Sequence, residues 1–183
     1  MIRVLERLRD DHKHAAKLIT ILSQELEKIS NHENADLELM RDVMFYLVRF
    51  NDKIHHPCED LLYARMTDRV RKLSKEFSDL GSEHNKLIRL GEKLAETFAV
   101  IVDGGMTLRE DVITLGNEYV HELLQHMNRE ESKFFPLIEQ HLTAIDSEEV
   151  FKILDTARDP VFGPILDADF KDLYEHIQSN KNN

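Results

Sequence analysis

The chain is poor in cysteine, glycine and proline and has no tryptophan and no long apolar run, and each shortage removes a class of protein. Its one cysteine, Cys58, permits no internal disulfide, so a reducing compartment, the cytoplasm, is the expected setting. No apolar stretch approaches the ~20 residues needed to span a bilayer. The segment Met1-Ile2-Arg3-Val4-Leu5-Glu6-Arg7 is charged throughout rather than built around an apolar signal region, so no membrane association is expected. Clustered positive charge is missing as well: 35 acids against 24 Lys and Arg give a net charge of −11. A phosphate backbone needs such clusters, and nucleic acid is therefore not an expected partner.

What remains favours helix. Six glycines and four prolines among 183 residues leave long stretches rich in Leu, Glu, Lys, Arg and Ala. The first, from about Ile2 to Ile29, carries Leu5, Leu8, His12, Ala15, Ala16, Ile19, Leu22 and Leu26 at the 3.6-residue period of an amphipathic helix. The second, about Ala35 to Met66, carries Leu39, Val43, Leu47, Phe50 and Ile54. The third, about Val70 to Val102, carries Leu73, Phe77, Leu80, His84, Leu87 and Leu94 and stops at Asp103-Gly104-Gly105. The fourth, about Leu108 to Leu142, carries Val112, Leu115, Tyr119, Leu123, His126, Glu130, Phe134 and Leu137. Pro57 and Pro136 lie inside the second and fourth, where a missing N–H predicts kinks. Ser147-Glu148-Glu149 reads as a helix start, followed by a short helix to about Ala157, a turn at Pro160–Pro164 and a last helix over about Ala168–Ile177. These features predict an all-α fold, an up-down-up-down four-helix bundle over about 2–142 with two short C-terminal helices over about 147–178. A single domain over 1–178 and a polar tail over 179–183 complete the expectation.

One chemical pattern occurs twice. Asp11-His12 is followed by His55-His56-Pro57-Cys58-Glu59-Asp60, and Glu83-His84 by His126-Met127-Asn128-Arg129-Glu130-Glu131, in the same order and at nearly the same separation. A His-x-x-x-acid match is weak alone, since ten histidines and 35 acids produce about two by chance. Position within the stripes is the specific signal: His12, His84, His126 and Glu130 stand where apolar residues should point inward, and His55 with Glu59 continues the inward face of the second helix. Two buried carboxylates among four imidazoles are hard to tolerate without a cation. With each carboxylate bridging and two imidazoles per ion, two metal ions would each hold four protein donors, with an oxide or hydroxide bridge as a fifth and an open position left over. Donors without thiolate suit iron or manganese over a closed structural zinc site.

The chain resembles the hemerythrin-like family of HHE cation-binding domains over about residues 8 to 142. The resemblance is carried by Asp11-His12, His55-His56-Pro57-x-Glu59-Asp60-x-Leu62, Glu83-His84 and His126-Met127-x-x-Glu130-Glu131-x-x-Phe134-x-Pro136. It implies a four-helix bundle with a non-haem di-iron centre, His12, His55, His84 and His126 as terminal ligands and Glu59 and Glu130 as bridges. One departure matters. Oxygen-carrying members place a second histidine four residues after the first on the third helix, where this chain has Ile88, which speaks against reversible oxygen transport. His56, His14 and His121 are candidate fifth donors; on a regular helix each points away, and distortion at Pro57 makes His56 the best of them.

The expected function is binding or sensing of O2, NO or iron by two iron ions, with manganese or zinc as substitutes. The alternative is a di-iron enzyme that scavenges peroxide or NO, or a protein that donates iron for cluster repair. Tyr63 and Tyr119 are candidates for the pocket wall, with core packing the competing reading. Asp11, Asp60, Glu83 and Glu131 flank ligands and are either backing acceptors for imidazole N–H groups or plain surface charge. Cys58 is read as a bystander.

Overall fold

The computed structural model describes residues 3–179, so the start expected at Ile2 and the tail over 180–183 lie outside the described residues. Among the described residues every regular element is helical and no strand occurs. The first pass is α1, Arg3–Ser30. It ends in a Schellman turn in which the Glu33 N–H reaches the Lys28 carbonyl at 2.8 Å and His32, at φ 61°, takes the left-handed position usually given to glycine. The second pass comprises α2, Leu37–Tyr46, capped by the Asp36 carboxylate on the Leu39 N–H, then a π-helical segment over Leu47–His55, then α3, His56–Arg69. The third is α4, Ser74–Val102, entered through a 3-10 turn over Arg71–Leu73. Gly104, at φ 86°, closes it in the same Schellman geometry that closes α1. The fourth comprises α5, Arg109–Arg129, a π-helical segment over Glu130–Phe134, and α6, Phe135–His141.

The two expected proline kinks are π-helical turns ahead of the prolines. Pro57 cannot donate, and its ring crowds the carbonyl one turn back. A wider turn accommodates this: the His56 N–H reaches the Asn51 carbonyl, five residues earlier, and the Phe135 N–H reaches Glu130 in the same way ahead of Pro136. Each widened turn takes up one extra residue, so the inward face slips. Ile54 and Leu137, expected inside, are half-buried, whereas Asn51, Asp52, His55, His56, Phe135 and Ile138 are buried.

Beyond the four passes, α7 spans Ala144–Thr156 and α8 spans Lys171–Ser179 after a 3-10 turn over Ala168–Phe170. The start of α7 falls earlier than Ser147, because Thr143 and Asp146 form a reciprocal capping box that satisfies the first free amides. Ser179 belongs to α8, not to a tail. Helix α7 packs on α1 and α3, where Arg65 pairs with Asp146 at 2.7 Å and Glu149 at 2.6 Å, while α8 packs on α2.

Two apolar clusters divide the interior. One joins Ala15–Leu26, Leu39–Phe50, Leu87–Phe98 and Val112–Met127 to Phe170, Leu173 and Ile177. The other joins Val4–Leu8, Leu62–Met66, Phe77, Leu80 and Phe134–Ile138 to Val150 and Leu154 of α7. Between them each pass carries its buried polar residues: Asp11 and His12, His55 with His56 and Glu59, His84, then His126 and Glu130. The fold thus sets one polar layer between two apolar plugs.

Candidate metal centre

In that layer the six residues picked from the sequence converge. His55 Nε2 lies 3.1 Å from Glu59 Oε1 and His126 Nε2 lies 3.1 Å from Glu130 Oε1, each pair one turn apart on its own pass. His12 Nε2 is 3.4 Å from both carboxylates, and His84 Nε2 is 3.5 Å from Glu59 and 3.7 Å from Glu130. Both glutamates are fully buried.

The opposite nitrogen of every one of these rings faces a second carboxylate. Asp11 holds His55 Nδ1 at 3.3 Å, Asp60 holds His84 at 2.9 Å, Glu83 holds His126 at 3.0 Å and Glu131 holds His12 at 2.9 Å. A carboxylate only accepts, so it fixes the proton on Nδ1 and leaves the Nε2 lone pair aimed into the centre. Of the two readings for the flanking acids, the backing acceptor is the one these contacts favour. The contacts run from pass to pass: each acid holds a histidine of a neighbouring helix, never its own.

Without a cation the centre is electrostatically uneasy. Burial pulls the His12, His55 and His84 pKa values down, but the surrounding carboxylates outweigh it and raise all three, His84 to about 10. Burial pushes Glu59 and Glu130 up, with repulsion by Glu130 adding to it at Glu59, and the imidazoles beside them nonetheless hold both below the usual carboxylate range. Hydrogen bonding does not complete the site. His55 Nε2, His84 Nε2, His126 Nε2, both Glu59 oxygens and Glu130 Oε2 are buried with no hydrogen-bond partner. Orphaned acceptors and lone pairs that all face one point are what a cation satisfies, so the residues fit a metal.

Ligand atoms fall into two overlapping groups, each within 4.8 Å: His12, His55 and Glu59 in one, and His56, Glu59, His84 and His126 in the other. His56 is the addition that a regular helix excluded, brought in by the π-helical turn before Pro57. A third group, Asp11, His14 and Asp159, is occupied by protein: Asp159 accepts from Tyr46 Oη at 2.9 Å and from the Val161 and Phe162 N–H groups at 2.9 and 2.8 Å. It anchors the C-terminal segment, with the His14 ring stacked 4.0 Å from Phe162.

The remaining candidates separate. Tyr63 is buried and donates to Glu130 Oε1, whereas Tyr119 packs in an apolar cluster beside Gly91. Burial, reinforced by Glu59, pushes the Cys58 thiol up to about 11, which removes thiolate chemistry at neutral pH. His121 is exposed. It lines a surface cavity of about 200 Å³ between α4 and α5 with Glu83, Glu122, Arg129 and His126, so that cavity reaches a site histidine from outside.

The family model of the hemerythrin HHE cation-binding domain matches residues 3–146. The chain belongs to the hemerythrin HHE family. No curated protein matches it. The hemerythrin match takes in all four passes and every residue of the polar layer, and it stops within the first turn of α7. Most of α7 and all of α8 are therefore additions to the matched hemerythrin segment. Membership of the HHE family implies binding of metal cations, and the histidines and glutamates gathered here could hold a metal ion.

Proposed function

We infer that this hemerythrin-family chain is a non-haem di-iron protein that binds or senses O2, NO or iron. The observation that carries the reading is the set of buried Nε2 and carboxylate oxygen atoms left unpartnered on the second, third and fourth passes, with His12 Nε2 of the first pass 3.4 Å from both central carboxylates. His12 and His55 would hold one ion and His84 and His126 the other, with Glu59 and Glu130 bridging them. Manganese or zinc could substitute. When bound, the iron pair would supply a redox-active centre to which a diatomic ligand can bind. The protein's own part is positioning. Asp11, Asp60, Glu83 and Glu131 orient the rings, the two apolar clusters exclude water, and the Tyr63 hydroxyl donates to Glu130 Oε1 and so holds that carboxylate in place. The order of apolar clusters along the chain reverses with each pass, which supports the up-down-up-down four-helix bundle within a single domain. One buried cysteine, and the absence among the described residues of a helix long and apolar enough to cross a membrane, are compatible with the cytoplasmic setting of the proposal.

The test is anaerobic reconstitution with ferrous iron, followed by elemental analysis and titration with NO and O2. Two ions per chain and reversible NO binding without turnover are expected. One tetrahedral ion per chain would overturn the di-iron reading. Turnover of NO or peroxide would instead favour the enzyme alternative.

A further inference from the structure

The two halves of the polar layer differ at the residue that follows the histidine of each His-x-x-x-Glu pair. Each half supplies two imidazoles and one central glutamate, but the residue after His55 is His56, whereas the residue after His126 is Met127. Both are buried. A His56 ring nitrogen lies within 4.8 Å of ligand atoms of Glu59, His84 and His126. The ring stacks on His84 with centroids 4.2 Å apart and meets His126 edge-on at 5.8 Å.

His56 also has a carboxylate beside it. His56 Nδ1 lies 3.2 Å from Asp52 Oδ1, and both atoms lack a satisfactory hydrogen bond in the metal-free protein. All four expected ligand histidines have a carboxylate at Nδ1 from a neighbouring pass, and His56 has one as well, although Asp52 comes from its own pass, one turn earlier. By contrast His14 faces Asp159 from the flank of the C-terminal segment and His121 is exposed. Asp52 is itself buried, and an aspartate held inside without partner is costly unless it serves a cationic neighbour.

We propose that His56 is a fifth imidazole ligand, backed by Asp52, bound to the ion of His84 and His126, so that one ion has three histidines and the other two. This rests on the two-ion reading above. It replaces from the second pass the histidine that Ile88 denies to the third. The consequence is an unequal pair: the ion of His12 and His55 keeps the open position, and a diatomic ligand binds on that side.

Metal-free protein titrated with cobalt(II), whose visible spectrum reports coordination number, tests this. The wild type should bind two ions with distinct spectra. His56→Met, which copies the second half, should leave one ion unchanged and weaken the other by at least ~10-fold, with its spectrum shifted toward lower coordination. His56→Ala should behave likewise and recover the wild-type spectrum on addition of imidazole, which a purely structural role would not allow. Circular dichroism of the metal-free variants separates ligand loss from misfolding. Two ions bound with unchanged affinity and spectra in both variants would overturn the fifth ligand and leave the two-ion reading standing. A wild type that binds a single ion, with a spectrum still sensitive to His56, would overturn the two-ion reading and keep His56 as a ligand.

Discussion

The first half of the chain widens its helix ahead of its ligands, and the second half widens it behind them. The π-helical segment at Leu47–His55 delivers both His55 and His56 to the interior just before Pro57. In the second half regular α-helix runs through His126 and the wider turn begins at Glu130, where it serves Phe134, Phe135 and Pro136 instead. Nearly symmetric sequence repeats therefore give an asymmetric site. The place of a proline relative to a ligand decides how many neighbouring side chains the helix can turn inward.

The strongest attack on this comparison uses what the halves share. Glu59 and Glu130 are buried equally and each lies near histidines of both halves. Glu59→Ala and Glu130→Ala should each remove most of the metal, about tenfold or more in affinity for both ions, read by elemental analysis after dialysis. A variant that keeps one ion fully bound would mean that the carboxylate belongs to one half alone.

A pH series comes next in expected size. His12, His55 and His84 have pKa values raised above 6.5, so their contribution to metal-free stability is complete below that value and is lost as pH rises through the folded values, about 10 for His84. Glu59 and Glu130 are depressed below 4.5, so theirs is present above it and lost as pH falls through the folded values. The metal-free site is thus best satisfied between about pH 4.5 and 6.5. Metal needs neutral imidazoles and is expelled by acid. The difference in Tm between loaded and metal-free protein should grow from about pH 6 to pH 8. A difference that shrinks over that range would place the metal away from these rings.

The smallest effects concern the two outlying histidines, one from each half. His14→Ala should keep the metal and lose roughly 1 kcal/mol of stability through its stack on Phe162. His121→Ala should leave both metal content and melting unchanged. Loss of metal from either variant would show that the ligand set extends beyond the polar layer.

Much of this was legible in the sequence because it is periodic. Leu5, Leu8, Ile19, Leu22, Phe77, Leu94 and Leu123 are buried where a 3.6-residue stripe puts them, and His12, His84, His126 and Glu130 stand out by interrupting such stripes. Non-local features were not legible. That Asp60 serves His84 and Glu131 serves His12 depends on contacts between passes, so flanking acids on a helix surface carried no signal of their partners. The inward turn of His56 needed a change in the hydrogen-bond ladder, for which Pro57 was the single hint. Thr143 was passed over as a cap because Ser147 with two acids behind it has the same local chemistry as Thr143 with Asp146.

The closed circuit of carboxylate–imidazole pairs also acts as a gauge of axial position. Asp11 links the first pass to the second, Asp60 the second to the third, Glu83 the third to the fourth, and Glu131 the fourth back to the first. Apolar stripes alone tolerate a helix sliding by one turn, about 5.4 Å, because leucine meets leucine again. Such a slip would break two of these pairs at once and leave their buried imidazoles without a backing acid. Alignment of the passes is therefore all-or-none, and the geometry that awaits the ions is set by the same contacts that choose the register.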